Sequence, residues 1–154
     1  MNEQNFDALK IENQLCFPLY ACSREVIKQY KPYLDKMDLT YTQYLVMMAL
    51  WEEKEMTVKA LGDRLYLDSG TLTPLLKKLE SKGYITRTRS RKDERNLLVA
   101  VTESGAALRE QAMAMPRAIK AHTELTREEA ETLYKLLYKI LARMDEIRDR
   151  EMLK

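Results

Sequence analysis

A leucine spacing constrains this chain more than any other feature. Leu72, Leu75, Leu76 and Leu79 fall at i, i+3, i+4 and i+7, one face of a 3.6-residue helix. Gly83 follows as the stop such a helix commonly uses. Just upstream, T-V-K-A-L-G-D-R-L-Y sets Val58, Leu61 and Leu65 on one face, and Leu67-Asp68-Ser69-Gly70 reads as a tight turn between the two helices. Pro74 has no N–H to donate and fits best in a first helical turn, which favours Thr71 over Ser69 as the cap of the second helix. Two helices this short cannot cover their own apolar faces. The stretch from Tyr44 to Trp51, apolar on nearly every side, is the expected backing, and Thr40 with Gln43 gives a capping box at its start.

Two strands are expected next, from Tyr84 to Ser90 and from Leu97 to Val101, joined by the polar turn R-K-D-E-R-N. Thr102 then caps a helix through Leu108, Ala112, Met115 and Ile119, bent near Pro116. Thr126 and Glu129 form a second capping box, opening a helix of about 24 residues, or ~36 Å. Leu133, Leu136, Leu137, Ile140, Leu141, Met144 and Ile147 lie along one side of it. At the other end, Ala8 to Met37 carries helical spacing interrupted by Pro18 and Pro32, where kinks or breaks are expected.

Helix, turn, helix and hairpin in this order predict a mainly α chain with a small antiparallel β-hairpin wing, a winged helix-turn-helix. Residues 40–102 form the DNA-binding module, and residues 8–38 and 103–154 supply dimerisation helices within a single chain of 154 residues. Charge agrees with this reading. From Lys77 to Arg95 there are eight cations (Lys77, Lys78, Lys82, Arg87, Arg89, Arg91, Lys92, Arg95) and three acids (Glu80, Asp93, Glu94), a local +5. The whole chain carries +2, so everything else sums to −3. A basic stripe on an otherwise acidic molecule marks a nucleic-acid face. With the leucines buried, Thr71, Thr73, Lys77 and Lys78 are left to meet double-stranded DNA; Arg91, Lys92 and Arg95 at the hairpin tip are long cations suited to a minor groove, and Arg87 is a further expected DNA contact. The terminal apolar stripe needs a partner surface, which predicts a homodimer on a pseudo-palindromic operator.

Other classes are disfavoured. No apolar run approaches the ~20 residues that span a bilayer. The first residues, MNEQNFDALKIENQ, do not read as a signal peptide, so a cytoplasmic protein without membrane contact is expected. One His and two Cys give no structural metal site, no cofactor is expected, and no catalytic constellation surrounds His122, so the chain does not read as an enzyme.

The segment T-V-K-A-L-G-D-R-L-Y-L-D-S-G-T-L-T-P-L-L-K-K-L-E-S-K-G-Y-I-T-R, followed by D-E-R, resembles the MarR family of regulators. The strings E-N-Q-L-C-F-P-L-Y, K-Q-Y-K-P and L-T-Y-T-Q-Y-L narrow the resemblance to its OhrR branch, repressors that sense organic hydroperoxides. The resemblance implies that Cys16 is the sensing cysteine and that Tyr30 and Tyr41 hydrogen-bond its sulfur across the dimer, with Tyr20 a further aromatic nearby. It also implies that Ser69, Thr71, Thr73 and Lys77 occupy recognition-helix positions, that Arg95 enters the minor groove and that Asp93 braces the wing through an ion pair. Pro18 departs from the family pattern and is expected to bend the helix beside the sensor.

Taken without the resemblance, the residues around Cys16 favour a small buried hydrophobe, because no Lys, Arg or His stands beside it in sequence. A MarR-type repressor controlled by a small aromatic or anionic ligand, with Cys16 structural, is the alternative. If Cys16 does oxidise, Cys22 lies six residues on, ~9 Å along a helix and about 120° around it. A disulfide needs Cα atoms within ~7 Å. No cysteine follows Cys22, so a mixed disulfide with a small cellular thiol is the expected product.

Overall fold

The computed structural model describes residues 7–89 and 97–152. It falls into two compact units, one ending at Met115 and one formed by residues 116–154. In the first, α1 (Cys16–Leu34) leads through a short 3₁₀ turn to α2 (Tyr41–Glu53), β1 (Glu55–Thr57), α3 (Val58–Leu65) and α4 (Ser69–Ser81). Then come β2 (Ile85–Arg89), β3 (Leu97–Val101) and α5 (Glu103–Ala112). The strands form an antiparallel sheet in the order β1-β3-β2.

Burial follows the leucine pattern. Leu72, Leu75, Leu76 and Leu79 of α4 pack with Leu61 of α3 and with Val46, Met47 and Leu50 of α2 in one core. Each such side chain removed from water contributes about 2 kcal/mol. The capping box at Thr40 is formed in both directions: the Gln43 N–H donates to the Thr40 hydroxyl, and the Thr40 N–H donates to Gln43 Oε1 at 3.0 Å. Gln43 is therefore buried without an orphaned atom. Gly83 takes the left-handed conformation (φ 76°), and the Tyr84 N–H returns to the Leu79 carbonyl at 3.1 Å, closing α4 in a Schellman turn.

Four expectations need correction. The wing is not a bare hairpin, because β1 pairs along β3, with Glu55 opposite Ala100 and Thr57 opposite Leu98. Three residues with one apolar member are too short to leave a periodic signature. Between Ala8 and Cys16 the described residues form a 3₁₀ turn over Ile11–Asn13 in place of the expected helix. There the Asn13 and Gln14 side chains donate to the Asp7 and Ala8 carbonyls instead of leaving them to a helix ladder. From Cys16 on, α1 runs unbroken through both prolines. Pro18 sits in its first turn, where an N–H would have no intrahelical partner anyway, so it does not break the helix there. Finally, the helix after Thr102 ends at Ala112 and a new one, α6 (Met115–Thr123), begins. Pro116 could not have donated to the Ala112 carbonyl, and its ring would have struck it, so the chain breaks rather than bends.

In the second unit α7 (Arg127–Met152) opens on the expected box. The Thr126 N–H and hydroxyl both donate to Glu129 Oε2 at 2.9 Å. Leu133, Leu136, Met144 and Ile147 are exposed, and Leu137, Ile140 and Leu141 are half-buried. Among the described residues no helix is long and apolar enough to cross a membrane, and no cluster of three or more His, Cys, Asp or Glu could hold a metal ion.

Gly105 locks the first unit together. Its carbonyl accepts the Trp51 indole N–H at 2.9 Å, and an added Cβ would lie 2.0 Å from the Tyr84 carbonyl oxygen. Gly105→Ala is therefore expected to cost roughly 2–3 kcal/mol by forcing α5 away from the strand. Urea denaturation of the two proteins measures this, and an unchanged midpoint would contradict the packing.

Candidate nucleic-acid interface and thiol site

Asp68 decides where α4 begins. Its carboxylate accepts the Thr71 N–H at 2.9 Å and the Thr71 hydroxyl at 3.0 Å. These two bonds, the backbone one first, hold the Asp68 carboxyl below its usual value. The cap is thus Asp68 and not Thr71: a charged acceptor reaching two donors outcompetes a neutral hydroxyl at the positive end of the helix dipole. Pro74 consequently stands inside the helix, in its second turn. The Thr73 hydroxyl donates to the Ser69 carbonyl at 2.8 Å.

With the leucines inward, α4 exposes Ser69, Thr71, Thr73, Lys77 and Lys78. At about 100° per residue, Lys77 lies nearly opposite the leucine stripe, with Thr73 on one flank and Thr71 and Lys78 on the other. Neither lysine has a carboxylate partner among the described residues. Each flank thus carries a small hydroxyl in the early turns of the helix, with the two cations further along it.

Arg87 behaves differently. Its guanidinium donates to Glu80 Oε2 from Nε (2.9 Å) and Nη2 (2.7 Å), and its backbone N–H donates to Glu80 Oε1 at 3.2 Å. Only 19% of the Arg87 side chain is exposed. A cation placed in sequence on the DNA face is thus committed to an acid of α4. Glu80 carried no local signal for this role, since its partner is brought to it only by the packing of helix on strand. Asp68 could have been found from the D-x-x-T spacing. Arg91, Lys92, Asp93 and Arg95 lie outside the described residues.

Cys16 is the first residue of α1, and both it and Cys22 are free and exposed. Within a single chain Cys16 is therefore not the buried hydrophobe that its sequence neighbours suggest. The helix is continuous between the two thiols, so the intrachain bridge remains out of reach. Tyr20, one turn beyond Cys16, is exposed; its hydroxyl accepts from Arg24 at 2.9 Å, and the same guanidinium lies 5.5 Å from its ring centre.

Tyr30 and Tyr41 are brought together, ring centres 5.0 Å apart and edge to face. Tyr44, read in sequence only as core, completes a cluster at 5.9 Å and 6.3 Å from them. Burial raises the hydroxyl pKa of Tyr30; burial and then the Tyr30 charge raise that of Tyr41. Burial first, then both neighbours, pushes Tyr44 up to about 12. All three stay protonated hydrogen-bond donors at neutral pH. Cys16 is not among them within one chain: Tyr30 lies fourteen residues further along the same helix, about 21 Å away.

The model of the SarA/Rot family of transcriptional regulators matches residues 28–111. Over 139 residues the chain is 52% identical to the organic hydroperoxide resistance transcriptional regulator of Bacillus subtilis, covering 90% of this chain and 95% of that one. The chain belongs to the MarR family of transcriptional regulators, in its OhrR branch. AbfR of Staphylococcus epidermidis superposes on this MarR-family regulator with a TM-score of 0.75 and 34% identity, over 92% of this chain and 98% of that one. AbfR has also been solved reduced and overoxidised on DNA, and with a disulfide formed. A cysteine-to-serine mutant of MarR from E. coli, complexed with operator DNA, gives a TM-score of 0.78 at 27% identity, over 88% and 97% of the two chains.

The Glu80–Arg87 contact fixes a titration. The hydrogen bond from Arg87, then its charge, holds the Glu80 carboxyl below the usual glutamate value. What the pair contributes to folding is therefore present above the unfolded pKa and lost as pH falls through the lower folded one. Carboxyl-carbon NMR is expected to show Glu80 titrating below a free glutamate, and Arg87→Ala is expected to bring it back up. Equal values in the two proteins would rule the contact out.

Proposed function

We propose that this regulator is a homodimeric DNA-binding repressor that releases its operator when an organic hydroperoxide oxidises Cys16. One observation carries the reading: a chain 52% identical to an organic hydroperoxide resistance regulator holds the Cys16 thiol exposed on the first residue of α1.

The DNA half rests on α4. Its exposed hydroxyls at Ser69, Thr71 and Thr73 approach base edges in the major groove, while Lys77 and Lys78 reach phosphates. Arg91, Lys92 and Arg95 follow the minor groove, with Asp93 bracing the turn. The module over 40–102 reads DNA, and the flanking segments over 8–38 and 103–154 dimerise. The apolar side chains exposed on α7, and Leu9, Ile11, Leu15 and Phe17 ahead of and within the start of α1, support that division, since a single chain leaves them in water. Two-fold symmetry spaces two recognition helices about one DNA turn apart, ~34 Å.

The redox half needs a second chain. The ~21 Å between Cys16 and Tyr30 along α1 excludes contact within one protomer, but an antiparallel partner helix brings one chain's Cys16 to the other's Tyr30 and Tyr41. Protonated phenols donate to a thiolate and favour it. The Cys16 thiolate attacks a peroxide oxygen; the O–O bond breaks, the alkoxide takes a proton and leaves as alcohol, and sulfur is left as sulfenic acid. A small cellular thiol then displaces the hydroxyl as water, giving a mixed disulfide. The added bulk at the start of α1 disturbs the dimer and hence the spacing of the two α4 helices. The protein works in the cytoplasm, where small thiols restore it.

DNA binding of wild type and Cys16→Ser, each with and without an organic hydroperoxide, tests the proposal. Both proteins are expected to bind, and only wild type is expected to let go. A Cys16→Ser protein that still responds would point to control by a small ligand instead. Mass spectrometry of the oxidised protein is expected to find a small-thiol adduct on Cys16, and a Cys16–Cys22 bond would refute that step.

A further inference from the structure

We infer that Glu80 and Arg87 form a latch that sets the pitch of the wing strands against α4, making both of them positioning residues for duplex binding rather than contacts to the duplex. The inference rests on the DNA-binding reading above.

The strand dictates the need for it. Along β2, Thr86 and Thr88 are exposed on one face; Ile85 is buried and Arg87 largely covered on the other. Arg87 pairs across the ladder with Val99, which is fully buried. A guanidinium at that rim of the core must find an anion. Glu80, on the last turn of α4, supplies it. Arg87 donates twice to one carboxylate oxygen through its side chain and once to the other through its main chain. Since β2 is an edge strand, paired only with β3, the outward Arg87 N–H has no strand partner, and Glu80 takes that place. One carboxylate thus grips both the side chain and the backbone of the wing.

The joint is backed on both sides. Leu79 and Ile85, next to it in α4 and β2, are buried. Past the end of α4, Lys82 reaches Asp38 Oδ2 at 3.1 Å and Gln43 Oε1 at 3.4 Å, tying the same helix end to the segment before α2 and to the first turn of α2. The recognition helix is held to the body by Lys82 and to the wing by Glu80. An acid on a basic face weakens attraction to a polyanion, so its place there is explained by geometry and not by charge.

That conflict of signs makes the test sharp. Wild type, Glu80→Gln, Arg87→Lys and Arg87→Gln are titrated with a duplex from the region upstream of the chain's own gene and with a mixed-sequence duplex, at several salt concentrations. The glutamine at 80 keeps an oxygen for the Arg87 donors, so that variant is expected to fold, and thermal midpoints verify it for all four. A charge effect alone would make Glu80→Gln bind more tightly. The latch instead weakens it about tenfold, the scale of one lost charge-assisted hydrogen bond. Arg87→Lys keeps the charge but not the fork, and is expected to lose affinity as Arg87→Gln does. The slope of log affinity against log salt should stay at the wild-type value in all three. Tighter or equal binding by Glu80→Gln overturns the latch. So does wild-type affinity in Arg87→Lys, or a slope reduced by about 0.9 in Arg87→Gln, the mark of a lost phosphate contact. Failure of wild type to bind either duplex would instead sink the DNA-binding reading, and the latch with it.

Discussion

Four leucines on one side of α4 can leave water only against α2 and α3, and that single burial aims everything else. Because Leu72, Leu75, Leu76 and Leu79 are held in the core, the opposite side of the helix is forced outward. Ser69, Thr73 and Lys77 are exposed as a consequence of where the leucines go. The same burial brings the end of α4 against β2, which is how Glu80 meets Arg87. It also carries the Schellman turn at Gly83, from which the wing departs.

Electrostatics then trims what burial has placed. Asp68 fixes the first residue of the helix, and Lys82 with Asp38 fixes its other end. Acids on this face are committed to structure: Asp68 to two donors of Thr71, Glu80 to three of Arg87. The cations of α4 that remain, Lys77 and Lys78, have no such commitment among the described residues. With Glu80 balanced by Arg87, the Asp68 carboxylate stands against the two lysines, and the exposed side of the helix keeps a net positive charge. This is the arrangement a polyanion requires.

The thiol and its proposed helpers are arranged by a different rule. Tyr30, Tyr41 and Tyr44 gather because α1 packs on the start of α2, and their burial raises hydroxyl pKa values that already lie above neutral pH. Cys16 is stranded about four turns away on the same rod. A single chain therefore contains both parts of the proposed sensor but cannot bring them together. In the proposed dimer, symmetry supplies the missing half, which would make the redox response inseparable from the assembly that spaces the DNA-reading helices.

Periodicity and punctuation made most of the fold legible before any coordinates. The leucine faces, the Thr40 and Thr126 boxes, Gly83 as a stop and the two long strands are all local signals, set within a few residues by backbone geometry. The family strings named the branch. What stayed hidden were features that depend on distant chain segments. β1 exists only because β3 offers it an edge. Arg87 changes from an expected DNA contact to a braced cation only because α4 delivers Glu80. Pro18 is harmless only because α1 happens to start two residues before it. Cys16 was read from its neighbours as buried, yet its exposure depends on what packs over α1, which no local pattern states. Which residues turn inward was already written along the chain, because burial of apolar side chains follows the helical and strand periods. Which charges meet was settled by packing alone, because an ion pair between helix and strand has no period and depends on how the packed elements come to rest.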